Sequence, residues 1–196
     1  MIALVDYGAG NTESVRLALA RLGADATLTA DPAVLRAADR VILPGVGEAR
    51  AAMTRLRESG LADVLPTLQQ PVLGVCLGQQ LLTSFSAERD TPCLNILPDV
   101  RTERFPAGMG LKVPHLGWNR LRNLQGPLFA GVAADAWVYF VHSYYVPTGA
   151  DFTTAVADYG LPFSAAVQWR NFHAVQFHPE KSGATGAQVL RNFLSI

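Results

Sequence analysis

In the stretch Gly74-Val75-Cys76-Leu77-Gly78 a thiol sits between two glycines. The residues before it, 71–75, are apolar and strand-like, and those after it, from Leu77 to about Phe85, read as a helix. A strand that runs straight into a helix at Cys76 must bend sharply. Gly74 and Gly78 remove side chains where neighbouring backbone has to pass. This is the logic of the nucleophile elbow, with sulfur in place of oxygen. The thiol then projects from the carboxyl end of a strand, where open α/β sheets bind ligands. It also sits at the first turn of a helix, whose partial positive charge favours thiolate over thiol. The backbone N–H of Leu77 points the same way and could stabilise an oxyanion. Taken alone, the pattern also admits a small buried hydrophobe as the lesser reading, since free cysteine is among the most buried residue types.

A cysteine nucleophile needs a base and a group to orient it. Of the four histidines, 115, 142, 173 and 178, only His178 has a carboxylate held close by a rigid spacer, in His178-Pro179-Glu180. Residues two apart in an extended segment project to the same side. Pro179 biases His178 towards that geometry. A carboxylate beside an imidazole fixes its tautomer and stabilises the imidazolium. In isolation His-Pro-Glu is also an ordinary solvated strand end; paired with the cysteine elbow it becomes a candidate base and orienter. His115, His142 and His173 read as packed or hydrogen-bonded histidines, and no His/Cys spacing makes a metal site.

The elements that must position these groups follow from periodicity. Residues 2–6 form a buried strand ending at a turn. The next segment is a helix with apolar positions Val15, Leu17, Leu19 and Leu22, a cap at Asn11 or Thr12 and a stop at Gly23. Residues 26–30 are a second strand. Arg40 opens a third strand, which runs into Pro44-Gly45-Val46-Gly47 and a helix start. Residues 71–75 are the fourth strand, so the expected order is β-α-β-β-α-β-α, a mostly parallel sheet covered by helices. The second half alternates like strands in 136–146, 152–160, 163–171 and 172–180. The last three are separated by short turns, as in an antiparallel meander. Residues 182–196 close the chain as a helix. The expectation is one α/β domain over 1–196, with a mixed sheet.

Bulk properties exclude several classes. The 196 residues are 49% apolar and 16% charged, and 16 Lys and Arg balance 16 Asp and Glu. Zero net charge offers no basic surface for nucleic acid. No apolar run approaches the roughly 20 residues of a membrane span, and the first ten residues read as a strand rather than a secretory signal. The two cysteines, Cys76 and Cys93, lie in unlike contexts, which points to free thiols and a reducing cytoplasm.

The cysteine and His-Pro-Glu motifs together resemble the class I, triad-type glutamine amidotransferases. The segments Asp6–Asn11, Leu43–Ala49, Val113–Asn119 and Tyr139–Tyr145 are similar to those of the glutaminase subunits of imidazole glycerol phosphate synthase, in the same order along the chain. The resemblance implies a three-layer, flavodoxin-like fold with an antiparallel section in its C-terminal half. It implies glutamine hydrolysis to glutamate and ammonia through a glutamyl thioester on Cys76, with His178 as acid and base and Glu180 as its orienter. No cofactor is implied. The ammonia would pass to a (β/α)8 cyclase subunit in a heterodimer. That partner makes imidazole glycerol phosphate and an aminoimidazole carboxamide ribotide. Gln80 matches a residue that contacts the substrate, and Ser143 and Tyr144 match the backbone that holds its amino-acid end. Gly45, Val46 and Gly47 match the oxyanion strand. They are expected to act as a switch whose flip supplies a second donor, so that proline at 45 or 47 would remove activity and spare the fold. Asn11, Trp118 and Tyr139 match positions at or near the cyclase interface, although a lone tryptophan is as often core.

Two regions depart from the family pattern. Position 79 is Gln where an apolar residue is usual, and 86–105 lacks the glycine-rich loop expected there. Three rival readings remain: a glutaminase serving another synthase, such as the one that makes pyridoxal phosphate; a self-sufficient hydrolase of γ-glutamyl peptides; and a non-catalytic scaffold. The segments at 6–11 and 113–119 weigh against the first. A self-sufficient hydrolase would turn over fully without a partner, and a scaffold commonly loses its nucleophile.

Overall fold

The computed structural model describes residues 1–108 and 110–196. The first half runs β1 (Ile2–Val5), α1 (Thr12–Ala20), β2 (Ala26–Thr29), α2 (Pro32–Ala37), β3 (Arg40–Gly45), α3 (Ala49–Glu58), α4 (Leu61–Val64), β4 (Val72–Cys76) and α5 (Leu77–Leu81). The second half adds β5 (Thr83–Ser86), β6 (Thr91–Pro92), β7 (Leu97–Arg104), β8 (His115–Arg120), β9 (Trp137–His142), β10 (Tyr144–Tyr145), β11 (Thr153–Asp158), β12 (Pro162–Trp169), β13 (Phe172–Val175) and α6 (Gly183–Ser195).

A seven-stranded sheet in the order β11-β12-β13-β4-β3-β1-β2 forms the centre. The five strands from β13 to β2 are parallel, and β12 and β11 add the antiparallel meander expected from the sequence. Successive strand residues face opposite sides. Ile2, Leu4, Ile42, Leu73 and Val75 therefore meet Val15 and Leu19 of α1 and Val189 and Phe193 of α6 on one face. Ala3, Val5, Val41, Leu43 and Val72 meet Leu35 of α2, Met53 and Leu56 of α3 and Leu61 of α4 on the other. Burying each such leucine or phenylalanine contributes about 1.5–3 kcal/mol, which holds the three layers together. The strand order reverses between β1 and β3, so the loops after them and the end of β4 border one crevice at the carboxyl edge, where doubly wound sheets place ligands.

Four local expectations are corrected. α5 stops at Leu81 instead of continuing to Phe85. The Thr83 hydroxyl donates to Gln80 O at 2.7 Å, and 83–86 turn out as β5, parallel to β7 and antiparallel to β6. An unexpected helix, α2, separates β2 from β3. Its signals are Pro32 at the first turn and the Asp31 carboxylate, which accepts from Ala33 N at 2.7 Å. The run 136–146 is not one strand: it breaks at Ser143, with β9 pairing to β8 and β10 joining a four-stranded sheet, β10-β7-β5-β6. Finally, Asn11 occupies the cap position of α1 but its side chain makes no capping bond.

Candidate active site

Cys76 ends β4 with φ 55° and ψ −110°, a region that L-residues other than glycine seldom occupy and that is found where a site demands it. The two flanking glycines are there for space. A Cβ on Gly78 would stand 2.1 Å from Leu43 O, and one on Gly74 would stand 2.8 Å from Gly78 O. The elbow therefore closes only with these residues. Its product is a thiol aimed into a cavity of about 330 Å³ at the carboxyl edge of the sheet.

His178 reaches the same cavity from the end of β13. Its backbone is extended, as Pro179 requires, with φ −96° and ψ 98°. It is pinned on both sides: His178 N donates to Tyr139 O at 2.9 Å, and the Ser182 hydroxyl donates to His178 O at 2.6 Å. The ring Nδ1 faces Glu180 Oε1 at 2.8 Å, with both side chains buried. Among the described residues, Nε2 is buried without a hydrogen-bond partner. Burial pulls the imidazole's pKa down, but Cys76 and Glu180 override it and lift the pKa to about 9. The tautomer is set by Glu180, which accepts the hydrogen bond from Nδ1–H and leaves Nε2 turned to the cavity.

The cavity wall opposite is the loop after β3. Val46 and Gly47 line it, with Gly47 at φ +94° and open space where a Cβ would go. Gly45 does not line it. Gly45 lies inside β3, where a Cβ would stand 2.5 Å from Gly78 N, so proline there would break the elbow's packing as well as any switch. Leu77, Gln80, Ser143 and Tyr144 complete the floor and the far side. Gln80 is buried, and its Nε2 donates to Tyr144 O at 3.0 Å and to Gln176 Oε1 at 2.9 Å.

The three expected interface residues lie around this site rather than in it. Asn11 Nδ2 donates to Glu180 Oε1 at 3.3 Å. Trp118 is half exposed and meets Tyr139 edge-on, with ring centroids 6.0 Å apart. Sequence reasoning passed over five contributors. Tyr7 donates its hydroxyl to Pro44 O at 2.9 Å and so fixes the start of the loop after β3. Glu88, from the divergent segment, lines the cavity and accepts from Ala49 N at 2.7 Å. Val141 and His142 line it too, and Gln176 stands beside the sulfur. Tyr7 and Gln176 lay inside motifs already singled out; Glu88 had no local signal.

A nucleophile, a base held by a carboxylate and a glycine loop facing both can carry out acyl transfer from an amide. Comparison with known proteins narrows the class. The family model for class-I glutamine amidotransferases matches residues 3–196. The imidazole glycerol phosphate synthase subunit HisH of Bacteroides fragilis is 52% identical over 196 residues, covering all of this chain and 99% of that one. The HisH subunit of Xanthomonas axonopodis pv. citri is 50% identical and covers all of this chain and 97% of its own. Among solved structures, a glutamine amidotransferase superposes with a TM-score of 0.75 at 20% identity, over 100% of this chain and 98% of that one. At that identity the likeness speaks for the fold.

Proposed function

The chain belongs to the class-I glutamine amidotransferases and, within them, to the HisH subunits of imidazole glycerol phosphate synthase, and on that premise we propose that Cys76, His178 and Glu180 are its catalytic triad. The activity is that of a glutaminase serving histidine biosynthesis. The observation that carries the assignment of residues is the meeting of a strained Cys76 and a Glu180-bound His178 in one cavity.

Cys76 Sγ attacks the side-chain carboxamide carbon of glutamine. The carbonyl oxygen takes the negative charge and is stabilised by Leu77 N–H and by a donor from Val46 or Gly47. His178, protonated at neutral pH, gives its Nε2 proton to the departing ammonia. The C–N bond breaks and a glutamyl thioester remains on sulfur. His178, now neutral, takes a proton from water, whose oxygen attacks the thioester carbon. Glutamate leaves and the thiolate is restored. Glu180 holds the ring throughout and stabilises the imidazolium. Gln80, Ser143 and Tyr144 bind the amino-acid end of the substrate. Residues 1–196 act as one domain, and Asn11, Trp118 and Tyr139 face a (β/α)8 cyclase subunit that consumes the ammonia.

The assay that tests this measures glutamate release by the purified chain, alone and with the cyclase and its nucleotide ligand. The expected result is weak activity alone, strong stimulation by the pair, and none from Cys76→Ala in either condition. Full activity from the isolated chain, unchanged by the cyclase, overturns the partnered reading. Activity that survives Cys76→Ala overturns the triad.

A further inference from the structure

The Cys76 sulfur has a buried neighbour that the mechanism above does not use. The parallel pairing of β13 with β4 sets Val175 opposite Val75, so the next residue, Gln176, falls beside Cys76. Gln176 is fully buried, and its Nε2 lies 3.7 Å from Cys76 Sγ. A buried primary amide must be satisfied at both ends, and here the two ends have different partners.

The orientation of this amide is decided by its neighbours. Tyr144 O can only accept, so the Gln80 atom 3.0 Å from it must be the nitrogen. That same Gln80 nitrogen lies 2.9 Å from Gln176, whose facing atom must then be the oxygen. The Gln176 nitrogen is left pointing at sulfur. A hydrogen-bonded chain thus links Tyr144 O, Gln80, Gln176 and Cys76, with no freedom to flip at any step.

The sulfur's other polar neighbour acts in the opposite sense. Cys76 Sγ lies 3.8 Å from Val141 O, an acceptor that favours the protonated thiol and repels a thiolate. An N–H at similar range favours the thiolate. We propose that Gln176 is a further catalytic residue: its side-chain N–H holds the Cys76 thiolate against the pull of the Val141 carbonyl, and Gln80 locks it in that orientation. Gln80 thereby has a second role, linking the backbone beneath the substrate's amino-acid end to the nucleophile.

The proposal deepens the glutaminase reading and rests on Cys76 being its nucleophile. Its test needs no substrate, so the two can fail separately. In the Cys93→Ser background, the rate of Cys76 alkylation by iodoacetamide is followed against pH. Gln176→Met removes the donor at similar volume, and Gln176→Glu keeps the shape and replaces the donor with an acceptor. Other ionisable groups near the sulfur are His178 with Glu180 behind it, Tyr7, and Glu88 and His142 on the cavity wall; all are retained in both variants. The alkylation midpoint is expected to rise by about one pH unit in Gln176→Met, a tenfold loss of rate at fixed lower pH, and further in Gln176→Glu. The glutaminase kcat falls while KM for glutamine moves less than about twofold. Midpoints equal to the parent's in variants that melt as the parent does overturn the proposal. Should either variant unfold, the parent itself decides: the Gln176 side-chain amide resonance is expected to titrate with the alkylation midpoint and to stop doing so in Cys76→Ala. A resonance indifferent to pH overturns the proposal. Normal midpoint shifts with no glutamate formed under any condition would instead overturn the glutaminase reading and leave Gln176 as a thiolate donor.

Discussion

Asn11 Nδ2 donates to Glu180 Oε1 at 3.3 Å, the same oxygen that receives His178 Nδ1 at 2.8 Å. The other oxygen, Oε2, is buried without a partner among the described residues. Among the described residues, the carboxylate proposed to orient the base is therefore held from outside by one residue, and that residue sits in the loop between β1 and α1, partly buried. A group expected to face the cyclase thus touches the proposed triad directly. Asn11→Ala is expected to lower kcat about three- to tenfold, the worth of one ordinary hydrogen bond of about 0.5–1.5 kcal/mol, with KM for glutamine little changed. Asn11→Asp is expected to be worse, because it sets a second carboxylate against Glu180. Steady-state kinetics of both variants decide it; an Asn11→Asp enzyme as active as the parent contradicts the role.

The two glycines of the loop after β3 should separate under substitution. Gly45→Ala forces a methyl to within 2.5 Å of Gly78 N, and overpacking of backbone against backbone costs about 3 kcal/mol. Gly47→Ala meets no atom within 4 Å but must hold φ near +94°, which costs about 1 kcal/mol. Denaturant unfolding should therefore rank Gly45→Ala well below Gly47→Ala. Gly47→Ala should still lose activity, because the strain falls on the segment proposed to present an oxyanion donor. A Gly47→Ala chain with parental kcat would remove this loop from the reaction.

What was legible in the sequence was what is decided locally. Gly74, Cys76 and Gly78 constrain one bend, and His178, Pro179 and Glu180 constrain one extended turn, so each could be understood from a few neighbours. The parallel strands β1, β3 and β4 showed as apolar runs because both of their faces are covered. The segment 86–105 could not be read this way. β5 owes its existence to β7, a partner more than ten residues on, and its first three residues were absorbed into the pattern of the helix before them. Glu88 enters the cavity only through that fold. Gly45 was misjudged for a related reason: glycines in a loop and at a close approach look alike until the facing backbone, here Leu77 and Gly78, is placed. α2 had its signals in Asp31 and Pro32 and was passed over.

The charge state of His178 ties stability to pH. Its folded pKa, about 9, lies above the ordinary value near 6.5. The stabilisation from holding that proton is fully present below 6.5 and is lost as pH rises through 9. The stability of the parent relative to His178→Asn should be greatest at pH 6, by up to about 3 kcal/mol, and should shrink towards pH 9.5. Chemical denaturation across that range measures it. A difference that grows with pH would mean that the imidazole is held neutral, and the base would then lack the proton it must give to ammonia.

The outer face of the β8–β9 ribbon should carry partner affinity more than folding energy. Leu116, Trp118 and Trp137 stand 63%, 51% and 48% exposed. In the ribbon Trp118 pairs with Tyr139, and Arg120 pairs with and stacks over Trp137 at 4.9 Å. Alternate residues of each strand share a face, so these side chains form one apolar surface with a cationic edge, larger than scattered exposure would produce. It borders the active site, because Tyr139 O holds His178 N. Since Trp118 is only half buried, Trp118→Ala should change unfolding free energy by no more than about 1.5 kcal/mol. Large aromatics dominate interface energetics, so the same change should weaken binding to the cyclase about tenfold or more. It should also displace the curve of glutaminase stimulation against cyclase concentration by a similar factor. Titration calorimetry and that curve must move together. Unchanged affinity with a lowered melting temperature would return Trp118 to the core and place the partner elsewhere.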